Sequence, residues 1–343
     1  MSSHRYIVYG AGAVGSVLGG MLKRAGIESV LVARPTHAAA IREKGLNLKT
    51  LTEAYQVEIP AVASVSELTP APGDIVFLCV KGTQTEAAVA DLATVFPTDT
   101  PVVCMQNGVR NEEIVAAKFP NTYGALVLFN AVLPAPGTAV LTLVDSVMVG
   151  NAPTGVDKQV EAIVADLNTA GFPASANANV ISVKWGKLIG NLNNALLAVT
   201  DCYWQKSFAT PAILERMREL MGEGLRVLAA AGISPSDVTG KFDIKAQVEH
   251  YASQTIEFQE LPPGQRAYPS MWQDLHFRRP ETEVAFLNGE IVRLGQQYGV
   301  PTPFNAVLVE AVNESVATGN GAGQFPLERI LELVEQRKQE LSK

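Results

Sequence analysis

The chain has 343 residues, 47% hydrophobic and 18% charged, which suits about two domains of roughly 150 residues and excludes wholesale disorder. Its 27 Lys and Arg against 34 Asp and Glu give a net charge of −7, which argues against a nucleic-acid binder and requires local cations to hold any anionic substrate. Cys79, Cys104 and Cys202 are far apart with no CxxC pair; that excludes a disulfide framework and a Cys-rich zinc site and fits a reducing compartment. His4, His37, His250 and His276 show no metal-ligand spacing, so no metal is expected. Met1 to Arg5 leads directly into an apolar strand and leaves no room for a signal peptide. The most apolar stretch, 124–144, is interrupted by Asn130, Pro134, Pro136 and Gly137 and reads as two strands around a turn, not a membrane span. The expectation is a cytoplasmic protein with no membrane partner.

The first half alternates between strand and helix signals. Strands are expected at 6–9, 29–33, 74–80 and 101–105, with two short ones between the second and third. Helices are expected at 13–25, 36–44, 83–95 and about 110–118. Near-continuous apolar strands separated by helices imply a mostly parallel sheet covered on both faces, an α/β domain of Rossmann type. Extended segments follow at 123–129, 138–144 and 147–150. Residues 157–170 place apolar side chains at 160, 163, 164 and 167, one helical face. From about Val180 strand signals nearly vanish, and periodic segments at 180–199, 210–231, 240–257, 281–298, 304–317 and 326–340 predict an all-α second domain. The expected domains are 1–179 and 180–343. Gly319 to Gly323 reads as a flexible connection.

Gly10-Ala11-Gly12-Ala13-Val14-Gly15 directly follows the first strand and opens the first helix. In that setting Gly10 permits a tight turn, Gly12 admits a pyrophosphate against the backbone, and Gly15 lets helix and strand approach. The helix N-terminus supplies N–H groups and partial positive charge to phosphates. A glycine-rich packing turn is the plainer explanation. An NAD site usually carries an acid at the end of the second strand; here that strand ends Val32-Ala33-Arg34. A guanidinium there suits a 2′-phosphate, so NADP(H) is the expected cofactor and Arg34 its discriminator, against the alternative of an exposed loop arginine.

Polar groups recur where a plain fold does not need them. Lys81 and Gln84 follow the strongest strand, and Gln106-Asn107-Gly108 follows the next, both at carboxyl ends of parallel strands where open sheets bind ligands. A surface cation and an ordinary Asn-Gly turn are the competing explanations. On the first long helix of the second domain, Lys187, Asn191 and Asn194 fall on one face at i, i+4 and i+7, and burying them is costly unless a ligand satisfies them. A solvated polar stripe is the alternative. Gly186 and Gly190 in that helix argue for a close approach, since each weakens it. Ser270 is placed to cap a helix. Glu283 falls in the first turn of the next one, where the macrodipole alone favours an acid.

Taken in order, these segments resemble the ketopantoate reductase family. The likeness rests on Gly10 to Gly15, Val80-Lys81 with Gln84, Gln106-Asn107-Gly108, Trp185-x-Lys187-Leu188-x-x-Asn191, Ser270-Met271-x-Gln273-Asp274 and Thr282-Glu283 with Asn288-Gly289. It spans nearly the whole chain. The resemblance implies an NADP-dependent 2-oxo acid reductase, with 2-dehydropantoate (ketopantoate) reduced to pantoate in pantothenate biosynthesis, a Rossmann domain packed on a helical one and the substrate in the cleft between. It implies Lys187 as catalytic lysine and Glu283 as a carboxylate beside it. It implies Asn191 and Ser270, with Asn194, as substrate-binding positions, and Lys81, Gln84 and Asn107 as cofactor and cleft residues. Lysine's ordinary pKa of about 10.4 makes Lys187 charged at neutral pH without tuning. One departure is Ala195, where the family repeats an asparagine; Asn194 stands one position earlier, and Leu196 replaces a common proline. A paralogous reductase of another 2-oxo acid and a non-catalytic NADPH-sensing module are the rival readings. Homodimerisation is left open.

Overall fold

The computed structural model describes residues 4–236 and 259–342. The helix expected at 240–257, and His250 with it, lie outside the described residues. The chain forms two compact units, 1–181 and 182–343.

The first unit begins β1 (Arg5–Tyr9), α1 (Ala13–Arg24), β2 (Glu28–Val32), α2 (Pro35–Lys44), then β3 (Leu46–Lys49), β4 (Ala54–Val57) and β5 (Ala61–Val62). It continues β6 (Asp74–Leu78), α3 (Thr85–Leu92), β7 (Val102–Cys104), α4 (Asn111–Ala116), β8 (Thr122–Val127), β9 (Asn130–Ala135), β10 (Thr138–Leu143), β11 (Val147–Asn151), α5 (Lys158–Thr169) and β12 (Ala174–Ala176). The main sheet runs β12-β11-β8-β7-β6-β1-β2-β5. From β5 to β8 all pairings are parallel; β11 is antiparallel to β8. That order is the doubly wound one, with its reversal between β1 and β6.

Strand alternation sends successive side chains to opposite faces. Tyr6, Val8 and Phe77 join Leu18 and Leu22 of α1 in one buried cluster, while Ile7, Val76 and Leu78 join Leu92 and Val115 of α3 and α4 in another. Each fully buried aliphatic or aromatic side chain there stabilises the fold by about 1.5–3 kcal/mol. The Arg5 guanidinium grips the buried Asp74 carboxylate through two hydrogen bonds of 2.7 Å, which sets the register of β1 against β6.

Sequence periodicity did not anticipate a second sheet of order β4-β3-β10-β9, in which β10 pairs parallel with β3 and antiparallel with β9. It lies against α1, where Gly20 faces Leu46 and Leu48 of β3. The 124–144 stretch therefore holds three strands rather than two. The helix expected over 83–95 starts as a 3-10 turn at Gly82–Gln84 and becomes α-helical only over Thr85–Leu92.

The second unit is helical in its described residues: α6 (Val180–Asn191), α7 (Asn193–Val199), α8 (Trp204–Phe208), α9 (Pro211–Ala230), α10 (Ser270–His276), α11 (Asn288–Tyr298), α12 (Pro303–Thr318) and α13 (Leu327–Leu341). Gly224 of α9 lets Ile189 and Leu192 approach, since a Cβ there would lie 2.7 Å from one and 2.9 Å from the other. Three expectations change. The helix over 180–199 is interrupted at Leu192, whose N–H is shared between the carbonyls of Leu188 and Ile189. The segment 281–298 is helical only from Asn288; residues 284–286 form an isolated 3-10 turn. Gly319 to Gly323 is not a loose connection: Gly319, Gly321 and Gly323 take left-handed φ, and Gly323 and Phe325 donate backbone hydrogen bonds to Ala198 and Val199. Among the described residues no helix is long and apolar enough to cross a membrane.

The start of α1 packs tightly on the turn before it and on β1. A Cβ on Gly15 would lie 2.5 Å from the Gly10 carbonyl oxygen and 3.1 Å from Val8 Cγ1. Because the nearest obstacle is backbone, Gly15→Ala is expected to lose about 1–3 kcal/mol of stability through overpacking. Urea unfolding measures this, and an unchanged midpoint would show that α1 has room to move.

Candidate active site

The glycine turn sits at the sheet reversal. Gly10 has φ +92° and hydrogen-bonds through its N–H to the Val32 carbonyl at 3.1 Å, so the end of β2 lies against the turn. A Cβ on Gly10 would meet Val80 at 2.6 Å, whereas one on Gly12 would meet nothing within 4 Å. The three glycines thus divide the work: Gly10 turns the chain, Gly15 lets α1 pack, and Gly12 keeps open the space above the helix N-terminus. Gly12 is the N-cap of α1, no side chain caps that end, and the first turn carries no acid. N–H groups and a positive helix end facing open space are what a pyrophosphate requires; the residues fit a dinucleotide. Ala11, Ala13 and Val14 complete the turn. Arg34, two residues past β2, is exposed at the start of α2.

A buried relay that spacing alone did not reveal braces this turn. The Gly137 N–H donates to His37 Nδ1 at 2.8 Å. That leaves Nε2 as the protonated nitrogen, facing Ser16 Oγ at 3.0 Å, and the Ser16 hydroxyl donates to the Ala11 carbonyl at 3.1 Å. Burial pushes the His37 pKa down, which keeps the ring neutral and the relay intact. His37 stands three residues after Arg34, the one sequence signal that could have marked it.

Lys81 and Gln84 flank the 3-10 turn after β6, and both are half-buried. Asn107 follows β7, also half-buried. The Gln106 amide donates to Thr85 Oγ1 at 2.8 Å, Thr85 donates to Asn111 Oδ1 at 2.8 Å, and Asn111 Nδ2 donates to the Asn107 carbonyl at 2.7 Å. The Asn-Gly corner is therefore held from below by three buried side chains. Since β1, β2, β6 and β7 are neighbours with parallel carboxyl ends, Gly10 to Gly15, Arg34, Lys81, Gln84 and Asn107 share one edge of the sheet.

In the second unit Lys187 and Asn191 lie one turn apart on α6, both half-buried. The break at Leu192 confines the shared-face argument to this pair; Asn194 lies beyond it on α7 and is buried. A Cβ on Gly190 would meet nothing within 4 Å, so tight packing is not the reason for that glycine. The Lys187 pKa is pushed down to about 8, first by burial and then by Lys184 one turn earlier, while the Glu283 carboxylate pushes it up. The expectation of an untuned lysine is thereby corrected. Lys184 is buried, and apolar neighbours on α6 hid its effect. Glu283 is half-buried and precedes a three-residue 3-10 turn rather than opening an α-helix. The macrodipole explanation for an acid at this position falls away, and its action on Lys187 takes its place. Ser270 is exposed and is the first residue of α10; Pro269 is the N-cap and no side chain caps the helix. Its hydroxyl is not spent on capping. His276 is exposed, its ring stacked on Trp272 at 4.3 Å.

Comparison with known proteins agrees with this arrangement. The family described as ketopantoate reductase PanE/ApbA matches residues 6–154, and its C-terminal region matches 179–316. The 2-dehydropantoate 2-reductase of Archaeoglobus fulgidus is 31% identical over 314 residues, covering 91% of this chain and 98% of that protein. That of Pyrococcus horikoshii is 28% identical, covering 92% and 98%. A crystal structure of a PanE/ApbA family ketopantoate reductase from Ralstonia eutropha JMP134 superposes with a TM-score of 0.79 at 30% identity, over 92% of this chain and 99% of that one. A D-mandelate dehydrogenase structure with NADH and anilino(oxo)acetate gives 0.79 at 28% identity over the same shares. The two-part match, one part in each unit, places the chain in the ketopantoate reductase family and so among the nicotinamide-dependent oxidoreductases.

Proposed function

We propose that this protein reduces a 2-oxo acid to the 2-hydroxy acid with NADPH, and that the substrate is 2-dehydropantoate, giving pantoate for pantothenate biosynthesis in the cytoplasm. The observation that carries the reading is Lys187, an ammonium drawn out of water beside Glu283 on a helix that also presents Asn191. Residues 1–179 act as the cofactor domain and 180–343 as the substrate domain. Gly10 to Gly15 hold the pyrophosphate, Arg34 the 2′-phosphate, and Lys81, Gln84 and Asn107 the remainder of the cofactor edge. Three reduced thiols, Cys79, Cys104 and Cys202, suit a reducing compartment.

A nicotinamide cofactor held at Gly10 to Gly15 would supply a hydride for the ketone carbon. As the carbonyl bond opens, negative charge gathers on its oxygen. The Lys187 ammonium stabilises that charge and transfers a proton from Nζ to the oxygen, completing the hydroxyl. With a pKa near 8, Lys187 is about nine-tenths protonated at pH 7 and is a far better proton donor than a free lysine. Glu283 keeps it from losing the proton early. Asn191, Asn194 and Ser270 bind the carboxylate and hydroxyl oxygens of the substrate and orient its carbonyl.

A second reading keeps the chemistry and changes the acid. Ala195 replaces the asparagine the family repeats, and the similar D-mandelate dehydrogenase was crystallised with NADH and anilino(oxo)acetate, which supports this reading. NADPH or NADH oxidation against ketopantoate and a panel of other 2-oxo acids decides between them; no oxidation with any 2-oxo acid would favour a sensing module instead.

Arg34→Ala is expected to cut the preference for NADPH over NADH at least about tenfold, the value of one lost charge-assisted hydrogen bond. Competing steady-state assays with the two cofactors read this directly, and an unchanged ratio removes Arg34 from the 2′-phosphate site. Lys187→Ala is expected to lower kcat about 10²–10⁴-fold while NADPH still binds by fluorescence titration; near-normal turnover would take the lysine out of the mechanism. Because the protonated form is the active one and its pKa is lowered to about 8, kcat/KM in the unaltered protein should hold at neutral pH and fall as pH rises through that value. A profile flat to pH 10 would contradict the assignment.

A further inference from the structure

Several buried polar residues of the second unit have no part in that reaction, yet they form one connected chain. Glu223 lies on α9 beside Gly224 and is 2% exposed. Its carboxylate accepts the backbone N–H of Phe304 at 2.9 Å and of Asn305 at 3.0 Å, and the Asn305 side-chain amide at 2.9 Å. It thereby satisfies the first turn of α12. Asn305 in turn accepts the Asn288 amide on Oδ1 at 3.1 Å, and the same Asn288 Nδ2 donates to the Leu192 carbonyl at 3.0 Å. Asn288 and Asn305 are fully buried.

The two ends of this chain are the informative part. Leu192 is the residue at which α6 gives way to α7, five positions after Lys187. Asn288 opens α11, five positions after Glu283. One side-chain amide therefore ties the backbone that carries the lysine to the backbone that carries the carboxylate. Burying such groups is costly: Asn288 Oδ1 finds no hydrogen-bond partner among the described residues, and an unsatisfied buried acceptor is destabilising. Apolar side chains of similar volume would fill the space at least as favourably, so packing alone does not account for the chain.

We propose that Asn288, backed by Asn305 and Glu223, is a positioning residue that sets the spacing between the Lys187 ammonium and the Glu283 carboxylate by holding the Leu192 carbonyl at the α6–α7 break. This rests on the reading of Lys187 as proton donor. Among the described residues, Lys184 from its own helix and Glu283 from the segment before α11 act on Lys187; Arg226 acts on Glu223 from within α9. Releasing Leu192 from α11 lets the carboxylate drift from the ammonium, which weakens an influence that favours the charged lysine.

The test is competitive acetylation of the cofactor-free protein across pH, with Lys187 labelling read by mass spectrometry, alongside steady-state kinetics. In Asn288→Ala the labelling midpoint of Lys187 should fall by at least about half a pH unit, in the same direction as in Glu283→Gln. The value of kcat should drop at least about tenfold, with KM for the oxo acid changed less than about threefold. Glu223→Gln, a single-atom change of equal volume, should shift the midpoint the same way and serves if Asn288→Ala does not fold. A folded variant of either kind whose melting temperature falls while its labelling midpoint and kcat stay put would overturn the proposal and leave a purely structural network. The two levels separate cleanly. A midpoint shift in a protein that reduces no 2-oxo acid retains the positioning chain and rejects the reductase reading. Turnover without a shift does the reverse.

Discussion

An ammonium withdrawn from water governs the second unit. Burial disfavours the charged form of Lys187, and the neighbouring Lys184 disfavours it further; Glu283 opposes both. The balance leaves the lysine protonated at neutral pH but close to giving up its proton. A lysine in bulk water holds its proton too tightly to be an efficient donor, and one buried alone would lose it altogether. One feature nearby fits that compromise: an acid ahead of a 3-10 turn where no α-helix needs it.

The first unit is governed by a steric constraint. The turn after β1 closes so tightly on Val80 and Gly10's own carbonyl that side chains are excluded at Gly10 and Gly15, yet it leaves open space over Gly12. That asymmetry suits a phosphate cradle better than a glycine-rich packing turn, which needs no open space at Gly12. The His37 and Asn111 relays then brace the backbone at its two flanks, one below Ala11 and one below Asn107. Both use buried side chains, and burial pushes the His37 pKa down, which favours the neutral ring that the relay needs.

Much of this was legible in the amino-acid order because its causes are local. The alternation of buried strands with helices, the glycines between β1 and α1, and the spacing of Lys187 and Asn191 all express short-range rules. What escaped depends on contacts between distant residues. The second sheet joins β3 to β10 across some ninety residues of chain, and its short strands carry little pattern of their own. Glycines and asparagines weaken the 180–199 helix locally, but the partner at its break is not local: the Leu192 carbonyl is claimed by Asn288, 96 positions away. Glu283 looked like an ordinary first-turn acid until the helix proved to start at Asn288. Lys184 was hidden by apolar neighbours, and the lowered pKa of Lys187 with it.

A tuned ammonium suits a reaction in which negative charge appears on an oxygen, and delivery of a hydride to a carbonyl carbon is an event that creates it. The most direct measurement is therefore of the transferred atom: incubate the protein with ketopantoate and NADPH deuterated at C4 of the nicotinamide, in ordinary water, and weigh the product. The account predicts pantoate one mass unit heavier, with deuterium at C2 for one of the two C4 epimers and none for the other. Unlabelled product from both epimers would show that the hydrogen comes from solvent and would contradict hydride transfer.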